Sequence, residues 1–211
     1  CLSGARSALD EVGVSLLGGH TTTSSKLMAG FAMDGLASGE ASLLRRNELE
    51  PGHRLILTKP LGTGVMFHAD MLGLLPGRWL SELLEAVQRS NVEALRVIRE
   101  VGGRGVTDVT GFGLAGHLGE MVHSSRVAVE MSLSSVPVFS GALHLLRRGL
   151  RSTFHEQNEE GRERLLVEDG FDEAELAILF DPQTAGGLLF GVDEGRAEEA
   201  VERLRTAGDA T

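Results

Sequence analysis

The residues best placed by type and spacing to do chemistry lie in the run Thr107-Asp108-Val109-Thr110-Gly111-Phe112-Gly113-Leu114-Ala115-Gly116. Gly111, Gly113 and Gly116 have the G-x-G-x-x-G spacing that sets a dinucleotide pyrophosphate on a helix amino terminus, and Glu130 follows near the place of a ribose-binding acid. Two features oppose a dinucleotide. Residues 107–110 are polar where a buried central strand is apolar, and Asp108 puts a carboxylate beside the pyrophosphate, a repulsive contact without a metal. Mg²⁺ reverses the sign, because a carboxylate at a strand end facing a helix amino terminus can hold the ion while it bridges nucleotide phosphates. A purely structural alternative stays open, with Asp108 capping the helix and the glycines serving close packing.

Three further glycine segments invite the same question. In Gly18-Gly19-His20-Thr21, consecutive amides free of side-chain hindrance could line an anion site, or form a strand bend with His20 as an ordinary polar loop residue. Lys59-Pro60-Leu61-Gly62-Thr63-Gly64 is not a Walker phosphate loop, since its Lys precedes the glycines, and it suits a structural turn directed by Pro60. Asp181-Pro182-Gln183-Thr184-Ala185-Gly186-Gly187 could face a cleft or cap a turn. His53, His68, His117, His123, His144 and His155 show neither zinc-ligand spacing nor a Ser-His-Asp set, so surface or helix roles are expected for them.

The elements that must position these residues follow from periodicity and turn signals. Residues 3–12 predict a helix stopped by Gly13, and 14–17 and 27–36 predict strands. The polar stretch 44–53, ending at Pro51-Gly52, predicts a domain junction. Beyond it the pattern predicts a strand at 54–58, a helix at 64–74, one long helix at 79–101 and a short strand at 106–109. A helix at 112–123 follows, then a half-buried strand carrying Val127, Val129, Met131 and Leu133. The remainder predicts a helix at 141–148, a polar loop at 152–161, a helix at 172–180, a strand at 188–192 and a helix at 194–207. A chain that starts at Cys1 and stops where another strand is due is expected to be a piece cut at both ends.

Composition narrows the function classes. Thirty acidic residues against 20 basic ones give a net charge of -10, which opposes nucleic acid and anionic membrane surfaces as partners. A nucleotide remains possible, because helix termini, glycine amides and carboxylate-bound Mg²⁺ hold phosphates locally. A lone cysteine and the lack of an apolar run of roughly 20 residues point to a cytoplasmic setting with no membrane span.

Taken in order, the segments 18–21, 57–64, 107–118 and 181–188 resemble those of the selenophosphate synthetase (selenide, water dikinase) family. The resemblance spans almost the whole chain. It implies an enzyme that makes selenophosphate, AMP and phosphate from ATP, selenide and water with Mg²⁺, working as a homodimer. It also implies an α+β chain of the aminoimidazole ribonucleotide synthetase-like type. Residues 1–50 would be the trailing part of an α/β dimer-barrel and ATP-binding domain, and 51–211 an α+β sandwich domain truncated at its end.

By the same resemblance Asp108 would bind the metal, and Gly18, Gly19 and His20 would contact ATP across the dimer interface. The family's reactive Cys or selenocysteine and its catalytic Lys have no counterpart here, so the chain alone is expected to be inactive. Cys1 does not match the reactive position, and Lys26 and Lys59 do not replace the Lys. Asp34 stands where a small or hydroxyl residue is expected and a charged stretch follows, which departs from the family's dimer strand. Alternatives are a thiamine-monophosphate kinase-like or carbamoyl-transfer enzyme of the same fold, a non-catalytic binding or regulatory paralogue, and a dinucleotide-binding oxidoreductase.

Overall fold

The structure, a computed structural model, describes residues 2–40 and 43–209. Cys1, set aside above as a reactive residue, and the chain end at 210–211 lie outside the described residues. The chain divides into two compact units, Cys1–Leu43 and Leu44–Thr211.

In the first unit, α1 (Leu2–Glu11) buries none of its residues, and Gly13 follows with φ 69°, the left-handed stop that its lack of a side chain permits. The strands expected at 14–17 and 27–36 do not form. Their alternating and apolar residues suit a strand, but a strand exists only where a second one meets its amides and carbonyls, and no ladder pairs these residues. Leu17, Leu27, Met28, Phe31, Met33 and Leu36 are all exposed within the chain.

The second unit is built on a three-stranded sheet formed by β1 (His53–Leu57), β2 (Arg104–Asp108) and β3 (Leu188–Asp193), in the order β1-β3-β2. Both pairings are antiparallel, with Ile56 opposite Phe190 and Asp108 opposite Leu188. Successive side chains on a strand point to opposite faces, so Leu57 and Leu189 enter one apolar core while Ile56, Phe190 and Val192 enter another. The first core is filled from α2 (Thr63–Met71), α5 (Gly113–Ser125), α6 (Ala142–Arg147) and α8 (Glu173–Ala177). The second is filled from α4 (Val92–Glu100) and α9 (Ala197–Thr206). In β2, Gly105 adopts φ 55° where the register with β3 shifts, and the buried Leu49 occupies the space that a side chain there would need.

Three local expectations fail for tertiary reasons. The helix expected at 79–101 is two helices, α3 (Gly77–Gln88) and α4. Arg89 turns extended, its carbonyl accepts from Lys59 Nζ at 2.7 Å, and Asn91 Nδ2 reaches the Gly186 carbonyl at 3.0 Å. These bonds break the helix at a point where apolar periodicity continues. Residues Val127, Val129 and Leu133 pack half-buried against the first core with exposed neighbours between 127 and 130, but no strand partners them. The loop expected at 152–161 contains a short helix, α7 (His155–Glu159), followed by a 3-10 turn, Glu160–Arg164. Five charged and polar residues carry too little periodicity to announce a helix.

Candidate functional site

Strand β2 ends at Asp108, whose side chain is exposed. Among the described residues its carboxylate makes no hydrogen bond or salt bridge. The backbone that follows is held at every step. Val109 N donates to the Gly187 carbonyl at 2.9 Å, and the Thr110 carbonyl accepts from Gly113 N at 3.0 Å and Gln183 N at 2.9 Å. Thr110 N donates to His117 Nε2 at 3.1 Å, and Asn158 Nδ2 bridges the carbonyls of Gly111 at 2.8 Å and Phe180 at 2.9 Å. Gly113 has φ 66°, and a Cβ there would lie 2.7 Å from the Leu179 carbonyl oxygen, so only glycine lets α5 begin so close to the 179–181 backbone.

No side chain caps α5, whose N-cap residue is Phe112. Asp108 is therefore not the cap, and its free carboxylate stands on the loop that opens this thirteen-residue helix. The two features favour opposite charges: the helix amides attract anionic oxygens, and the carboxylate attracts a cation. That combination suits a cation-bridged phosphate. Among the described residues no group of three or more His, Cys, Asp or Glu could hold a metal ion. A lone exposed carboxylate is compatible with Mg²⁺, which takes one or two carboxylates and completes its shell with water and phosphate oxygens. His117 is buried, and burial lowers its pKa against the pull of the Asp108 and Glu120 carboxylates. Neutral, with Nε2 accepting from Thr110 N, it ties the loop to its own helix.

The other two glycine motifs of this unit brace that loop from behind. Gly62, at the N-cap of α2, has φ 119° and no side chain to satisfy the first amides of the helix. Gln183 Oε1 accepts from Gly62 N at 3.0 Å, Thr63 N at 3.2 Å and Thr63 Oγ1 at 3.2 Å, and Asp181 Oδ2 accepts from Gly64 N at 3.0 Å. Thr184 N returns a bond to Thr63 Oγ1 at 2.7 Å, and Lys59 Nζ holds the Ala185 carbonyl at 3.1 Å. The structural roles open to 59–64 and 181–187 are therefore the ones observed, with the cap supplied from more than a hundred residues away. Burial lowers the Lys59 pKa, with Asp209 opposing the shift.

Asp181 is fully buried, and loss of solvent pushes its pKa up to about 7, against the amides of Val65 and Gly64 and the side chains of Ser152 and Gln183. Sequence reasoning leaves the capping roles of Asp181 and Gln183 unassigned and overlooks Asn91 and Asn158. No local signal points to the first two, because the helix expected at 64–74 places Thr63 at its own cap position. His155, expected in a surface or helix role, takes the helix one: it opens α7 and is buried.

Gly18, Gly19 and His20 belong to the other unit, where all three are exposed. Neither glycine has the positive φ that an anion-binding nest needs at one of its residues.

The antiparallel sheet also separates this glycine loop from a dinucleotide site, which requires a parallel strand-helix-strand unit. Residues 50–211 match the family described as AIR synthase related protein, C-terminal domain. The chain belongs to the AIR synthase-related family.

Its AIR synthase-related domain is α+β, as the sheet and helices above show. The chain is 37% identical over 206 residues to a selenide, water dikinase of Caldanaerobacter subterraneus, covering 96% of this chain and 59% of that protein. It is 36% identical over 211 residues to a selenide, water dikinase of Nitratidesulfovibrio vulgaris, covering 99% of this chain and 60% of that protein. The chain thus spans 59 to 60% of the length of these curated relatives. A solved thiamine-monophosphate kinase from Stenotrophomonas maltophilia shares the fold, with TM-score 0.55, 20% identity, and coverage of 79% of this chain and 48% of that one. No described helix is long and apolar enough to cross a membrane.

Two stability measurements test the bracing. A Cβ on Gly186 would run into the Val109 carbonyl, whereas one on Gly195 meets nothing within 4 Å. Gly186→Ala should lower the unfolding free energy by about 1–3 kcal/mol and Gly195→Ala by no more than about 0.5, read from urea midpoints. Asp181 keeps its proton to about pH 7 in the fold but loses it near 3.8 when unfolded. Its contribution is complete below the lower value and is lost as pH rises through the upper one, by up to about 1.4 kcal/mol per pH unit. Asp181→Asn should flatten that decline; an unchanged slope between the two values would contradict a buried neutral carboxyl.

Proposed function

We propose that the whole protein is a selenide, water dikinase that transfers a phosphoryl group from ATP to selenide and releases AMP and phosphate. The observation that carries this is the free Asp108 carboxylate on the uncapped start of α5, in a chain 37% identical to such a dikinase over 206 residues. Mg²⁺, when bound, would neutralise phosphate charge and polarise the transferred group. Asp108 would supply one ligand to it, the leading amides of α5 would orient phosphate oxygens, and the bonds from Gln183, His117 and Asn158 would keep both fixed through the reaction. Preorganised groups of this kind do most of the work in phosphoryl transfer, where no protein nucleophile is needed.

Gly18, Gly19 and His20 would contact ATP, offered by the second protomer of a cytoplasmic homodimer. The apolar side chains exposed between Leu17 and Leu36, in segments with strand-like sequence but no partner strand, support a second copy as their cover. Residues 1–50 would then be the trailing part of an ATP-binding and dimerisation domain, with 51–211 closing over the nucleotide. With no counterpart to the family's reactive Cys or selenocysteine and catalytic Lys, the 211-residue chain by itself would not turn over.

The assay is AMP and selenophosphate formation from ATP, Mg²⁺ and selenide. The whole protein should form AMP only when selenide is present, and the 211-residue chain should stay at background. Asp108→Asn in the whole protein should cost about 10²-fold or more in turnover and raise the half-saturating Mg²⁺ concentration, with thermal unfolding unchanged. Turnover by Asp108→Asn at the parent rate, or AMP formation indifferent to selenide, would remove the proposal.

A further inference from the structure

We infer that Phe112 is a water-excluding wall of the phosphoryl-transfer site, and so decides whether the transferred group reaches selenium or is lost to solvent. This rests on the dikinase reading of the same site and adds a residue to it.

Phe112 is 65% exposed, yet its ring is held. The His117 ring stands 5.7 Å away at a tilt of 53°, and His117 is itself fixed by the amide of Thr110. A Cβ on Gly116 would lie 2.7 Å from the Phe112 Cβ, so the glycine one turn on makes the room in which the phenylalanine sits. On either side the backbone is pinned, by Asn158 at the Gly111 carbonyl and by Gly113 N at the Thr110 carbonyl. An apolar side chain is thereby fixed facing solvent on the loop that carries Asp108 and opens α5.

A phenyl ring offers neither donor nor acceptor to phosphate oxygens. Beside a carboxylate and a helix amino terminus it can do two things: take up space that water would fill, and lower the local dielectric so that the charge interactions strengthen. The Asp108 carboxylate acts on His117, the ring against which Phe112 is tilted, and in the proposed site this sets the phenyl ring at the phosphate end of the nucleotide and not at the base. The competing reactions there differ only in the attacking atom. Selenide attack forms a phosphorus–selenium bond and breaks the phosphorus–oxygen bond to the leaving nucleotide. Water attack on the same phosphorus breaks the same bond, forms a phosphorus–oxygen bond, releases a proton and leaves inorganic phosphate with no selenophosphate. The water consumed in the overall reaction is spent on the other phosphoryl group, so a barrier at this phosphorus does not obstruct it. A ring without a hydroxyl fits that task, since a tyrosine would bring a group able to hold water.

The measurement is the ratio of AMP formed to selenophosphate formed by the whole protein with ATP, Mg²⁺ and selenide. Phe112→Ala should raise that ratio about tenfold, a difference of about 1.4 kcal/mol between the two attacks. Phe112→Leu, which keeps apolar bulk, should restore most of the coupling, and Leu74→Ala, an exposed apolar change elsewhere, should leave the ratio at its parent value. Thermal unfolding of each variant shows whether the loop has merely loosened: a lowered midpoint in Phe112→Ala with the ratio unmoved assigns the ring to stability and overturns the inference. A fully coupled Phe112→Ala enzyme overturns it as well while leaving the dikinase reading intact. Parent protein without selenide-dependent AMP overturns both.

Discussion

Helix α2 begins with a glycine where a cap is needed, and the rest of the second unit is arranged around that deficit. Gly62 has no side chain, so the leading amides of the helix must be met by something else or be buried unsatisfied at a cost of about 1–3 kcal/mol each. Gln183 and Asp181 meet them from the loop before β3. To reach, that loop must lie against both edge strands at one end of the sheet. It does so through Thr58 Oγ1 accepting from Leu188 N at 2.9 Å and Gly187 accepting from Val109 N at 2.9 Å. The glycines are the condition for this approach: a Cβ on Gly187 would lie 2.5 Å from Lys59 N, and one on Gly64 would meet the Asp181 carboxylate. Segments that look like separate phosphate loops in the sequence are thus one polar knot.

The knot explains why the candidate metal ligand can be free and still well placed. The Asp108 side chain makes no bond that fixes it, so its position is inherited from a backbone that pairs with Leu188 at Asp108 itself and hangs on residues 183–187 at Val109 and Thr110. A carboxylate capping its own helix would be held more tightly but would have spent its acceptors. Here the holding falls to the backbone, and the side chain keeps its acceptors for a ligand. Asp181, by contrast, is a carboxyl whose charge the fold suppresses by burial, because its task is to accept from amides and not to meet solvent. Two aspartates on neighbouring loops are assigned opposite work by exposure alone.

How much of this was legible depended on how far the deciding contact lay along the chain. The run 107–118 could be placed on a strand, a loop and a helix because its signals are local: β-branched residues before Asp108, glycines after it, and apolar spacing from Leu114 onward. The break between α3 and α4 could not, since Lys59 and Asn91 cause it through the carbonyls of Arg89 and Gly186, and nothing in the apolar pattern of 79–101 records them. At 127–133 the alternation was correctly seen as half-burial and wrongly turned into a strand, because burial period and hydrogen-bond pairing are separate facts. Asp108 was legible as a candidate ligand; the residues that hold the backbone after it, Gln183 and Asn158, were visible only as polar loop.

The same separation bears on the first unit. Residues 14–17 and 27–36 carry strand-like sequence and, within this chain, no strand. Intrinsic preference in a strand is small beside the demand of its backbone for a pairing partner, so such a segment specifies half of an interaction. A solitary segment of that kind is a liability on a folded protein unless its counterpart comes from elsewhere. Its exposed side chains, Leu17, Leu27, Phe31 and Leu36 among them, would make an unattended edge prone to aggregation. The proposed homodimer would satisfy both requirements at once, because the amides and the apolar side chains would be covered by a copy that carries the same deficit. The glycine amides of Gly18 and Gly19, which build no anion nest in the single chain, would then take their working conformation only when the partner strand fixes the backbone around them.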